Sequence, residues 1–122
     1  MNQQVKSIRT FIGAKDFGIS RSFYKDLGFQ EFILSDSMSY FNISENYGFY
    51  LQNAYVEDWV NNSMVFLEIE NVEQYFKELQ NLNLTDKYQN VKLVPIRYEI
   101  WGKECFLHDP SGILWHFGEF NK

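Results

Sequence analysis

The residues best suited to chemistry are few, because the chain contains two histidines and one cysteine. His116 lies in the stretch HDPSGILWHF, where the turn Asp109–Gly112 feeds an apolar strand that only this histidine interrupts. A histidine in that position can ligate a metal, transfer a proton, contact a bound molecule, or remain a hydrogen-bonded polar group of the core. The local sequence leaves these four alternatives open.

Arg9 is the second candidate, because it stands in a predicted strand between Ile8 and Thr10. A buried arginine needs a partner for its charge. An internal carboxylate such as Glu68 would make a structural ion pair. The other alternative is a carboxylate or phosphate on a ligand.

The remaining residues give no catalytic arrangement. Cys105 alternates with Phe106 in a predicted strand, which favours packing over chemistry. A single cysteine makes neither an internal disulfide nor a thiolate zinc site, and this fits a reducing compartment.

The N-terminal MNQQVKSIRTF has no apolar signal core, and no stretch approaches about 18 apolar residues. We therefore predict a cytoplasmic protein and assign no residue a catalytic role, while an enzyme remains an alternative.

Composition limits the class of protein further. The 122 residues suit one domain, residues 1–122, and 45% hydrophobic with 22% charged residues indicates a globular chain. Aromatic residues make up 19%, which predicts either a tightly filled core or an aromatic-lined cavity. The net charge of −5, without a basic run, argues against nucleic acid as a partner, and no segment suits a membrane.

The order of predicted elements is βαβββ, a linker, then βαβββ. Ile19, Phe23 and Leu27 recur every four residues in the first helix, and a second helix follows Val72. The stretch 53–62 is predicted to be irregular and polar, and residues 84–90 form a polar stretch to which no element is assigned. The predicted strands cover residues 5–14, 30–34, 38–43 and 48–52 in a first module of about 5–52, and residues 64–69, 91–100, 103–107 and 114–120 in a second module of about 63–120.

Two phrases repeat in corresponding places of the modules. Phe23–Leu27 is similar to Tyr75–Leu79, and Gly48–Gln52 is similar to Gly112–His116. Each half would expose one apolar sheet face and cannot stand alone. We therefore expect the halves to pair, with a groove between curved sheets.

Four motifs carry a resemblance to a known family: Ile12–Phe17, Phe23–Phe29, Trp101–Gly102 and Asp109–Gly112. In combination, over about residues 5–120, the chain resembles the glyoxalase/bleomycin-resistance/dioxygenase superfamily. That resemblance implies the vicinal oxygen chelate fold. This is an α+β fold of two βαβββ modules that form a curved mixed sheet around a central cavity, commonly in a homodimer.

Many members of that superfamily hold a divalent metal with His and Glu side chains from four strands. The matching positions here are Arg9, Gln52, Met64 and His116. Arginine has no lone pair to donate, and a thioether suits Cu(I) better than Zn²⁺, Mg²⁺ or Fe²⁺. The resemblance therefore predicts no metal site and no cofactor.

Members without a metal include the bleomycin-resistance proteins, which bind a cationic aromatic drug in an acidic groove of a dimer. The resemblance implies a small-molecule ligand, aromatic or apolar, and a homodimer. Arg9 departs from that pattern, which makes bleomycin itself a poor candidate. If the four positions that the resemblance assigns face the groove, alternation along the strands adds their neighbours, and Trp101 lies beside a loop that could cover the opening. The resemblance therefore implies a ligand-binding lining of Arg9, Phe11, Tyr50, Gln52, Met64, Phe66, Trp101 and His116.

Each aromatic of that lining can equally be core, and Trp59 can cover the linker or the groove. The leading hypothesis is a metal-free binding protein that sequesters an antibiotic-like ligand. One alternative is an enzyme of the same superfamily, either a metal lyase or dioxygenase with displaced ligands or a metal-free isomerase that uses His116 and Glu68. Another is a member whose groove is filled by its own aromatics and that binds no ligand.

Overall fold

The computed structural model describes residues 3–122, and its elements form two βαβββ units joined by a short helix. This confirms the predicted α+β fold class. The first unit contains β1 (Thr10–Gly13), α1 (Phe17–Asp26), β2 (Gln30–Ser35), β3 (Met38–Ser44) and β4 (Tyr47–Gln52), and the joining helix is α2 (Glu57–Asn62). The second contains β5 (Met64–Glu68), α3 (Val72–Asn81), α4 (Leu84–Lys87), β6 (Lys92–Tyr98), β7 (Gly102–His108) and β8 (Leu114–Phe120).

The two units build two sheets with the same topology. Sheet A has the strand order β1-β4-β3-β2, and sheet B has the order β5-β8-β7-β6. In each sheet the first strand runs parallel to the last strand of its unit, and the other neighbours are antiparallel. The two sheets therefore have equivalent strand orders, as the repeat between the two halves of the sequence predicts.

The two main helices begin in the same way. The Asp16 carboxylate accepts a hydrogen bond from the backbone N–H of Ile19 at 3.1 Å, and the Asn71 side chain accepts one from Gln74 at 3.0 Å. Each side chain satisfies a backbone donor that the first helical turn leaves free. Gly28 follows α1 with φ of 103°, a conformation that glycine adopts without steric cost.

Both sheets turn one face towards a shared core. The ring of Phe49 on β4 lies 5.3 Å from that of Trp115 on β8, and Trp115 lies 5.7 Å from Phe29. Because strand side chains alternate between faces, the opposite faces of the two sheets point away from this core. We call these the open faces.

A buried polar network also joins the units. The Tyr24 hydroxyl on α1 donates a hydrogen bond to the Asp109 carboxylate at 2.6 Å and accepts one from the Trp115 indole N–H at 3.0 Å. The Asp109 carboxylate also accepts hydrogen bonds from the backbone N–H groups of Ser111, Gly112 and Ile113, at 2.8, 2.8 and 2.9 Å. Burial raises the pKa of Asp109, and these hydrogen bonds oppose the rise. The sequence presented Asp109 only as a turn residue.

Two local predictions were wrong. The strand predicted over 5–14 is confined to Thr10–Gly13, because residues 3–9 find no strand partner in the described chain. The predicted linker contains α2, whose first turn carries Glu57 and Asp58, where carboxylates favour a helix N-terminus. The polar stretch 84–90, to which the sequence assigned no element, contains the short α4, and the buried Leu84 anchors it. No helix within residues 3–122 is long and apolar enough to span a membrane.

An ion pair in the first unit predicts how stability depends on pH. Arg21 donates to the Glu31 carboxylate, whose side chain is 7% exposed, and Ser39 donates at 2.7 Å. The hydrogen bond from Arg21 is the main cause of the lowered pKa of Glu31. Since the folded-state pKa lies below the unfolded value, this stabilisation is present above about pH 4.5 and is lost as the pH falls through the folded-state pKa.

We expect Glu31→Gln to lower the free energy of unfolding by about 2 kcal/mol at pH 7, and by less at pH 3. Urea unfolding at pH 7, 5, 4 and 3 measures the difference. Glu70→Gln, at an exposed position, is the matched control and should follow the wild-type curve. Asp109 titrates in all three proteins, so its contribution cancels. A deficit in Glu31→Gln that is independent of pH would contradict the prediction.

Candidate functional site

The predicted ligand-binding residues lie on the two open faces and form two separate clusters. The face A cluster comprises Arg9, Phe11, Tyr40, Tyr50 and Gln52 on or beside sheet A. The face B cluster comprises Met64, Phe66, Trp101, Glu104 and His116 on or beside sheet B.

The face A cluster is organised around the Arg9 guanidinium. Its Nη1 donates to the Tyr50 hydroxyl at 2.9 Å, and its carbon lies 4.2 Å from the centre of the Tyr40 ring. The Phe11 ring stacks on Tyr50 at 4.7 Å with 21° between the planes, and Phe11 remains 55% exposed. Contacts among β1, β3 and β4 therefore hold an arginine against a small aromatic surface that is open to solvent.

A cavity of about 310 Å³ adjoins this surface. It lies between Phe11 and Gln52 of sheet A and Trp59 and Val60 of α2. Val60 is buried and anchors the helix, whereas Trp59 is 73% exposed. The joining helix thus places an exposed indole beside the aromatic surface, where an irregular linker was predicted.

The face B cluster is organised around His116. Its Nδ1 lies 2.9 Å from Oε1 of Glu104, and its Nε2 lies 3.3 Å from the Met64 sulfur. Since a carboxylate can only accept, Nδ1 carries the proton of that hydrogen bond. The Phe106 ring packs edge-on against the imidazole at 5.1 Å. His116 is therefore a hydrogen-bonded residue of a partly open surface.

An aromatic group lies next to this histidine. Phe66 lies 6.3 Å from the Trp101 ring and 5.7 Å from Phe120. Gly118 leaves room for it, because a Cβ at that position would approach the end of the Phe66 ring to 2.3 Å. A glycine on the central strand β8 thus lets Phe66 lie across sheet B.

The two clusters are not brought together within one chain. No hydrogen bond, ion pair or aromatic contact joins them among residues 3–122. No salt bridge within 4.0 Å joins Arg9 to Glu68, so the internal ion pair considered from the sequence does not form in this structure. The predicted lining is therefore two half-sites on the open faces of one chain.

Two residues of the clusters were missed from the sequence. Glu104 shares a strand face with Phe106, which is directly opposite His116 in the register of β7 and β8. Tyr40 is directly opposite Tyr50 in the register of β3 and β4. Alternation along each strand was visible in the sequence, but the register that pairs the strands was not.

The four positions that hold a metal in many proteins of the resembled superfamily do not suit one here. Arg9 and Gln52 lie in the face A cluster, whereas Met64 and His116 lie in the face B cluster. No group of three or more His, Cys, Asp or Glu residues within the described chain could hold a metal ion. A permanent cation at one position and an amide at another do not make a site for a divalent ion.

The fold has clear counterparts among solved structures. A bleomycin-binding protein from Streptomyces verticillus, in complex with copper(II)-bleomycin, matches with a TM-score of 0.80 at 16% identity, over 99% of this chain and 100% of that chain. An antibiotic-binding protein from Streptomyces sp. CB03234 matches with a TM-score of 0.75 at 13% identity, over 99% of both chains. A lactoylglutathione lyase from Agrobacterium tumefaciens matches with a TM-score of 0.71 at 14% identity, over 96% of both chains.

No protein-family model matches the sequence, and no curated protein matches it. The likeness is therefore one of architecture, and it confirms the fold that the sequence motifs predicted. Two βαβββ units with the same strand order, and solved structures that match over nearly the full chain, lead to the same conclusion. This chain has the vicinal oxygen chelate fold of the glyoxalase/bleomycin-resistance/dioxygenase superfamily.

Proposed function

We propose that this protein binds a small aromatic or apolar molecule without a metal, and that it sequesters an antibiotic-like ligand. The observation that carries the proposal is the chemistry of the open faces. Each presents exposed aromatic side chains around a small number of fixed polar groups, which is how small-molecule sites are generally built. The bleomycin-binding and antibiotic-binding proteins of the same fold support this class of function.

We further propose that a homodimer completes the site. Each open face leaves large apolar side chains in solvent, with Met64 64% and Phe66 45% exposed. Placing the face A cluster of one copy opposite the face B cluster of a second copy would cover both and enclose a groove. Two such grooves would form in a symmetric dimer. Light scattering should then give twice the 14.6 kDa mass of one chain.

The cytoplasm remains the proposed location. It rests on the single thiol, Cys105, which is buried and makes no disulfide. Burial also raises the pKa of this thiol to about 11, which keeps it protonated and unreactive near neutral pH.

Catalysis by the same fold is the second candidate, and the contact between His116 and Glu104 favours it. A carboxylate that fixes one imidazole nitrogen leaves the other available for proton transfer. Here the other nitrogen faces the Met64 sulfur instead of open solvent. Within the face B cluster no nucleophile lies beside the histidine, so binding remains the function that we favour.

Calorimetry with 2-naphthamide, a neutral bicyclic probe, tests the proposal. We expect saturable binding that EDTA leaves unchanged, with one probe per chain. Phe11→Ala should weaken it about 2- to 10-fold through the lost stacking surface. The matched control is Leu82→Ala, an apolar side chain exposed at the end of α3 and remote from both clusters.

Two results would contradict the proposal. If the wild-type protein does not bind 2-naphthamide, the proposed binding of small aromatic molecules is contradicted. Binding that appears only after addition of Mn²⁺, Fe²⁺, Ni²⁺ or Zn²⁺, with about one metal retained per chain after desalting, would favour a metal enzyme of this fold.

A further inference from the structure

We propose that the ligand carries an anionic group, such as a carboxylate, on its aromatic body and that Arg9 binds this group. The inference rests on the proposed function, because it identifies the chemistry of the ligand for the same site.

Arg9 differs from the other two arginines of the chain in having no acidic partner. Arg21 pairs with Glu31, and Arg97 lies 3.5 Å from Glu99. Among residues 3–122 no carboxylate lies within 4.0 Å of the Arg9 guanidinium. The chain has 16 acidic residues and a net charge of −5, so acidic residues are not scarce. The sheet positions this cation without neutralising it.

The surroundings of Arg9 fix its position and leave most of its donors free. The guanidinium carbon lies 4.2 Å from the centre of the Tyr40 ring, and one guanidinium N–H donates a hydrogen bond to the Tyr50 hydroxyl at 2.9 Å. Arginine has five N–H donors in a planar fork, so a pair remains for both oxygens of a carboxylate. The Tyr50 hydroxyl accepts from Arg9, so its own proton is free for the same anion.

The neighbouring side chains define the rest of the ligand. Phe11 stacks on Tyr50 and is 55% exposed, which offers one ring face beside the cationic group. The cavity between Phe11, Gln52 and Trp59 extends this surface. A flat ring on Phe11 with an acidic substituent directed at Arg9 therefore fits the face A cluster.

Three probes with the same bicyclic body test this inference: 2-naphthoate, neutral 2-naphthamide and cationic 2-naphthylmethylammonium. We expect the wild-type protein to bind 2-naphthoate about tenfold more tightly than 2-naphthamide, and the cation most weakly. Arg9→Gln should abolish the preference for 2-naphthoate over 2-naphthamide, because the variant has no charge to pair with the carboxylate. Arg9→Lys should retain part of the preference, because it keeps the charge and loses the planar fork.

The control is Lys77→Gln, which removes one positive charge from the exposed surface of α3 and should retain the full preference. Equal binding of 2-naphthoate and 2-naphthamide by the wild-type protein would overturn the inference and leave the proposed function standing. So would a preference that survives in Arg9→Gln. Absence of binding by all three probes would overturn the proposed function and this inference together.

Discussion

Replacing Asp109 with alanine is expected to lower the free energy of unfolding by about 3 kcal/mol or more. The carboxylate is fully buried and accepts the Tyr24 hydroxyl together with three backbone N–H groups of its own turn. Without it, the buried Tyr24 hydroxyl and the buried Ile113 N–H lose this partner, whereas the partly buried Gly112 N–H still donates to the backbone carbonyl of residue 109. The desolvation cost of an unpaired buried donor is about 1–3 kcal/mol, so the loss should be large even if water enters.

Urea unfolding at pH 7 measures this effect, with two variants for comparison. Asp109→Asn keeps an oxygen for the backbone N–H groups and should lose less stability than Asp109→Ala. Asp36→Ala removes an exposed turn carboxylate and should stay within about 0.5 kcal/mol of the wild type. A loss below about 1 kcal/mol for Asp109→Ala would show that the network joining the units contributes little.

Trp115→Ala is expected to cost about 3–5 kcal/mol. The indole is fully buried, and its ring contacts Phe29 and Phe49 of the first unit while it lies on β8 of the second. Its removal leaves a cavity where the two sheets meet and takes the indole N–H away from the Tyr24 hydroxyl. Both effects act on the contact between the units.

Thermal and urea unfolding of Trp115→Ala and Trp59→Ala compare a buried indole with an exposed one. Trp59 is 73% exposed, so its removal should change the free energy of unfolding by less than about 1 kcal/mol. Equal losses in the two variants would mean that Trp115 does not join the units as the structure indicates. Loss of binding by Trp59→Ala without loss of stability would instead link α2 to the ligand.

The repeated architecture could be predicted from the pattern of residue types alone. Hydrophobic periodicity and the two repeated phrases predicted two βαβββ units, and the strand Leu114–Phe120 was predicted with its observed bounds. Alternation also placed Phe11 with Arg9 on one strand and Tyr50 with Gln52 on another, and the resemblance put the two pairs into one lining. In the structure Tyr50 contacts both Arg9 and Phe11. These features are local or of short period, and the spacing of side chains along one strand is enough to predict them.

The contacts that these side chains make depend on the tertiary structure. β1 pairs with β4 only from Thr10, which lies opposite Phe49, although β4 itself begins at Tyr47. The helix α2 is anchored by the buried side chain of Val60. The partners of Arg9 and His116 depended on strand register, which brought Tyr40 and Glu104 into contact with them. Asp109 became a buried link between units because its side chain reaches Tyr24, 85 residues away in sequence.

The largest difference between prediction and structure is the separation of the predicted ligand-binding lining into two half-sites. Alternation predicts which residues share a strand face, but it does not determine whether two sheets turn those faces towards each other or away. Here the contact of Phe49 with Trp115 buries the opposite faces together, and the open faces therefore point outward. That choice depends on which pair of apolar faces packs more completely, and only the folded chain reveals it.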